Sequence, residues 1–164
     1  MDSQLAKGVA ELSSFLALAL SSAGSTFGCM VAGMAAVGAW KKCYTQNRAA
    51  PFQLVIFAGT PLSQTIYGFI LMFMMDKQID KFIEHPFLAA SIGVAGGVAM
   101  GLSAYGMGKA AASACDSFAE TGKGFANNLM ILGIIETIAI FILIFSLIAM
   151  SMLTAVAGAG HAAV

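Results

Sequence analysis

The sequence predicts an all-α membrane protein: four transmembrane helices forming two tandem antiparallel hairpins. Three observations carry that prediction. The 164 residues are 59% hydrophobic and only 10% charged, where a soluble domain carries about 25% charged residues. Leu12–Trp40, Ala49–Met75 and Pro86–Gly108 contain no charged residue, and Phe125–Gly160 contains one, Glu136. Each stretch exceeds the roughly 20 residues needed to cross a bilayer. The polar segments between them are short, and short connections make consecutive helices antiparallel neighbours.

The helices are expected near 12–38, 53–75, 87–113 and 126–152. The first hairpin occupies residues 1–80 and the second residues 81–164. Asp2, Lys7 and Glu11 give the N-terminus no positive leader, and the apolar run that follows is too long for a signal peptide. The first helix is therefore expected to stay in the mature protein.

The first and third helices are thin. Gly24, Gly28, Ala32 and Ala36 recur every fourth residue in the first, and Gly93, Gly97 and Gly101 in the third. Such stripes let helix backbones approach closely in lipid. The second and fourth helices are bulky, with Phe57, Ile66, Phe69 and Phe73, then Ile135, Ile140, Phe141 and Phe145. Thin helices beside thick ones make a wedge. Wedges set side by side close into a ring with the thin helices inside; the alternative is a compact bundle with the glycine contacts inside one chain.

The hairpins read as copies. Gln64–Thr65–Ile66 lies 72 residues before Glu136–Thr137–Ile138, and Gly33–Met34–Ala35–Ala36 resembles Gly108–Lys109–Ala110–Ala111. Internal repeats are common in transport proteins. Basic residues set the orientation. The first connection holds Lys41, Lys42 and Arg48 without an acid, and the last holds Lys123, with Lys109 near it. Basic residues favour the cytoplasmic side, so both termini are expected on the opposite side of a multi-pass membrane protein.

Glu136 would cost several kcal/mol at membrane depth. An anchor has no use for it, so the residue marks an ion or proton site. Its partners stand on the second helix. Thr60, Ser63, Gln64 and Tyr67 are spaced i, i+3, i+4 and i+7, which puts them on one face. Pro61 lacks an N–H and loosens the helix there, leaving carbonyl oxygen available. The repeat sets Gln64 at the depth of Glu136, and Gly133 leaves space beside the acid. Without Glu136 the polar face would be read as helix-to-helix hydrogen bonding, worth about 1 kcal/mol or less per bond. Lys109 is expected to run its stem to the interface and leave Glu136 unpaired.

Other chemistry finds no support. Net charge is zero, which gives no nucleic-acid footprint. Cys29, Cys43 and Cys115 have no metal-ligand spacing, and His85 and His161 stand near helix ends. There is no Walker loop or nucleophile elbow, so the chain has no ATP site of its own.

The order Thr60-Pro-Leu-Ser-Gln-Thr-Ile-Tyr-Gly-Phe69, the Ile135-Glu-Thr137 step and the two Gly/Ala-rich helices resemble the duplicated four-helix proteolipid of V-type and A-type rotary ATPases, also called subunit K. The resemblance covers nearly the whole chain. It implies a homo-oligomeric rotor ring (the c-ring), in which Gly24, Gly28, Gly93, Gly97 and Gly101 are packing residues. It implies three further partners: a stator subunit with an essential arginine, central-stalk subunits at the cytoplasmic loops, and the lipid bilayer. Glu136 would be the ion-carrying carboxylate and Tyr67 a hydrogen-bond partner to it. In sodium-translocating members the ligands match Glu136, Gln64, Ser63 and the Thr60 carbonyl. Those members have a second glutamine where this chain has Met107, and sulfur is a poor ligand for a hard cation. The resemblance therefore favours H⁺ over Na⁺ as the transported ion, with no cofactor. It points to a bacterial or archaeal plasma membrane. One carboxylate per four helices suits an ATP-driven pump. The alternative is a small four-helix secondary transporter with one intramembrane acid.

Overall fold

A computed structural model describes the backbone of residues 2–161 and the side chains of residues 2–152. Among the described residues five helices follow one another: α1 (Ser3–Thr45), α2 (Leu54–Asp76), the short α3 (Ile79–Glu84), α4 (Pro86–Thr121) and α5 (Phe125–His161). No strand occurs among the described residues. Four of the helices are long and apolar enough to span a membrane. The all-α, four-span fold class read from the sequence is the one observed.

The helices outrun the spans. α1 has 43 residues, roughly 65 Å of helix at 1.5 Å per residue, against a hydrocarbon core about 30 Å thick. The uncharged window locates the part that fits in lipid, not the helix. Outside it, Lys7 and Glu11 pair at 3.8 Å across one turn and suit a water-exposed helix. α4 likewise runs on past residue 113 to Thr121. It stops at Gly122, whose φ of 64° gives the left-handed cap that glycine adopts without strain. The connection 76–85 also contains more structure than expected. Ile79, Phe82 and Ile83 have helical spacing, and α3 buries Phe82.

α1 and α4 run parallel and make the most extensive contact in the chain. Glycine brings them together. A Cβ on Gly24 would overlap the Gly101 backbone, one on Gly93 the Ser13 carbonyl, and one on Gly101 would come 2.6 Å from the Leu20 carbonyl. Gly97 is similarly close to Leu16. The five stripe glycines thus pack within one chain: all five join α1 to α4, and Gly28 also meets Pro61 of α2. α2 lies antiparallel on α1. Gly28 faces Pro61, and Gly68 faces Ser21.

Two apolar cores fill the bundle. Near the 41–53 loop lie Ala32, Ala36, Cys43, Leu54, Phe57, Met107, Phe118 and Leu132. Near the opposite end lie Ala10, Ala17, Leu71, Met75, Phe82, Met100, Ala139 and Met150. The loop between α1 and α2 and the loop between α4 and α5 share one end. Lys42 pairs there with Glu120, and the Arg48 guanidinium donates to the Glu120 carbonyl at 3.3 Å. α5 is the least buried span. It presents Ile134, Ile138, Phe141 and Phe145 outward, as α2 presents Ile66, Phe69 and Phe73.

Candidate ion site

Every polar residue expected at the site falls in the band between the two cores. Pro61 creates the local geometry. Without an N–H it cannot serve the Phe57 carbonyl, so the helix tightens into a 3₁₀ turn over Thr60–Leu62. The Thr60 hydroxyl and its N–H both donate to Phe57 O, the hydroxyl at 2.9 Å. The hydroxyl of Thr60 is thereby occupied, and its carbonyl is the group turned to the site.

That carbonyl, the Ser63 hydroxyl and the Gln64 side-chain oxygen converge. Ser63 Oγ lies 3.1 Å from Thr60 O and 3.2 Å from Gln64 Oε1. One hydroxyl proton serves two acceptors, so one oxygen always has spare capacity. Gln64 is fully buried. Its amide donates to Met107 Sδ at 3.8 Å, a weak acceptor for a buried N–H. The structure therefore puts Met107 of α4 against Gln64 of α2.

Glu136 stands one helix away. The Tyr67 hydroxyl donates to Glu136 Oε1 at 2.6 Å, which joins α2 to α5. Glu136 is half-buried, on the least covered span. Its hydrogen-bond partner is Tyr67, whereas Gln64 bonds Ser63 and Met107. A Cβ on Gly133 would meet nothing within 4 Å, so the surface beside the carboxyl is open. Lys109 is exposed, with its Nζ 5.8 Å from the Tyr105 ring centroid. The ion pairs among the described residues are Lys7–Glu11 and Lys42–Glu120.

Two polar residues of this band escaped sequence reasoning. Ser103 donates to the Ile135 carbonyl at 3.3 Å, beside Glu136. It stands one turn before Met107 on the same face of α4, so helical spacing from that position could have found it. Ser25 of α1 is buried at the same level. A serine in a small-residue stripe looks like packing, and nothing in the sequence separates the two. The three cysteines are free thiols, and the His161 side chain lies outside the described residues.

The arrangement holds one carboxylate, a phenol, an amide, two hydroxyls and a loosened carbonyl in the band between the two apolar cores, with the carboxylate on the outward helix. Residues 90–149 match the family model for the C subunit of ATP synthase. The matched segment covers most of α4 and α5 and includes Met107 and Glu136, while the Thr60–Tyr67 face lies outside it. The match supports the proteolipid family for this second hairpin. No curated protein matches the chain.

Proposed function

We propose that the chain is a rotor-ring subunit of a V/A-type ATPase, and that Glu136 carries the coupling ion through the membrane. The observation that bears most weight is the half-buried Glu136 on α5, held by the Tyr67 hydroxyl at 2.6 Å at the level of the Ser63–Gln64 oxygens. A carboxylate cannot cross lipid bare. Neutralised by a bound cation, and with one oxygen already accepting from Tyr67, it can face hydrocarbon while the ring turns. An arginine on a neighbouring stator would draw out the negative form and release the cation. Catalysis of ATP turnover belongs to other subunits, reached through stalk proteins at the cytoplasmic loops.

The ion is H⁺ in this reading. The Gln64 amide meets a thioether where a sodium site would use a further oxygen. The oxygens that would serve Na⁺ are those of Glu136, Gln64, Ser63 and the Thr60 carbonyl. The remaining expectations stand with this proposal: the two-hairpin division at residue 80, the termini outside, and a bacterial or archaeal plasma membrane. A secondary transporter would need a polar chamber between its helices. Here Gly24, Gly97 and Gly101 close α1 onto α4 backbone to backbone.

Carbodiimide labelling tests the reading. In the assembled complex, Glu136 is expected to be modified as pH falls and its protonated form accumulates. Na⁺ at fixed pH leaves the labelling unchanged if the proton is the cargo, and protects the site if sodium is. Absence of labelling at every pH would overturn the proposal.

A further inference from the structure

The Ser25 hydroxyl is buried and has no hydrogen-bond partner among the described residues. Buried polar groups are nearly always paired. Its position explains the exception. In the antiparallel contact of α1 and α2, Gly28 meets Pro61 and Ser21 meets Gly68. Ser25 lies between those two contacts on α1, and Gln64 lies between them on α2. The two side chains stand across from each other, both fully enclosed.

Gln64 has the complementary deficiency. Its amide carries two N–H groups, and the acceptor it finds is Met107 Sδ at 3.8 Å. Its oxygen is engaged by Ser63. To accept from a protonated Glu136, whose partner in this structure is Tyr67, Gln64 Oε1 has to turn from Ser63 toward α5. The amide then needs an acceptor on the opposite side, and that side is α1.

We propose that Ser25 is a positioning residue of the ion site. In the ion-loaded state its hydroxyl accepts from the Gln64 amide, which turns Gln64 Oε1 toward the carboxyl group of Glu136. The site thus draws on all four spanning helices: Ser25 from α1, Gln64 from α2, Met107 from α4 and Glu136 from α5. The inference rests on the rotor reading and adds to it the residue that orients Gln64.

The test uses the complete ATPase in sealed vesicles. Ser25→Ala removes the acceptor with no change of bulk and a good helix former in its place. One hydrogen bond is worth about 0.5–1.5 kcal/mol. The half-saturating concentration of the coupling cation should therefore rise about 3- to 10-fold, with maximal flux kept. Ser25→Cys puts a slightly larger side chain with a weaker hydrogen-bonding group there and should fall between. A high-resolution map of the wild-type loaded ring supplies the second readout, with Ser25 Oγ expected within hydrogen-bond distance of Gln64. Wild-type half-saturation in Ser25→Ala overturns the inference. So does a loaded ring in which Ser25 bonds only to its own helix while Gln64 stays on Met107. The rotor reading fails separately, if Glu136→Gln leaves flux intact.

Discussion

At the residue scale, the division of labour between Glu136 and Tyr67 is open to measurement. The phenol donates to the carboxyl at 2.6 Å, and a hydrogen bond to a charged group is worth about 1.5–3 kcal/mol. Tyr67→Phe keeps the ring that packs between α2 and α5 and removes that bond. We expect the variant to assemble normally and to keep some ATP-driven flux, with half-saturation reached at a roughly 10-fold lower proton concentration, because the lost bond favoured the charged carboxyl over the protonated one. Glu136→Gln is expected to assemble and to carry no flux. Equal flux in Tyr67→Phe and wild type, across a range of cation concentrations, would show the tyrosine to be packing alone. Glu136 was legible in the sequence because a charge in a 36-residue apolar run has no cheap explanation. Ser25 and Ser103 were not. A serine hydroxyl can return to its own helix backbone, so its appearance in an apolar segment carries no comparable cost.

At the element scale, the α1–α4 contact decides whether the chain folds. A side chain on Gly101 would strike the Leu20 carbonyl at 2.6 Å. The obstacle is backbone, which cannot rotate away, and overpacking of this kind costs about 1–3 kcal/mol or more. Gly101→Leu should lower the denaturation temperature of the detergent-solubilised chain and its yield in membranes. A Gly101→Leu chain with wild-type thermal stability would mean that α1 and α4 are not in backbone contact. The stripe was visible as a pattern, but its partner was not. Glycine every fourth residue fits contact within a chain and contact between chains equally well. The helix ends were hidden for a related reason. Hydropathy reports where lipid lies, while helix propensity continues through Lys7 and Glu11 to Ser3. α3 was legible in the spacing of Ile79, Phe82 and Ile83, and was obscured by the charges among them.

At the scale of the whole molecule, the repeat leaves an unpaired pattern at each edge. Gln64 of the first hairpin is fully buried because α4 of the second covers it. Glu136, its counterpart, is half-buried, with no further helix laid over it among the described residues. In a ring, a second copy supplies that cover by packing its α1 beside this chain's α4. The free faces are suited to it. Ser22, Cys29 and Gly33 share the side of α1 turned away from α4, at i, i+7 and i+11. Ala99, Gly106 and Ala110 share the corresponding side of α4 at the same spacing. A Cβ on Gly33 or on Gly106 meets nothing within 4 Å inside one chain. These two glycines therefore belong to a different class from Gly101. Gly33→Leu and Gly106→Leu should leave the single chain inserted, helical and as heat-stable as wild type, because nothing within it is displaced. Both should fail to close a ring, since thin helix must meet thin helix around the inner circle. Particle imaging and native mass of the detergent-solubilised protein read this directly. Complete rings from both variants would place the contact between copies elsewhere. Fragments or lone chains with intact helices would tie ring closure to the open glycine faces and set it apart from the contact that folds each chain.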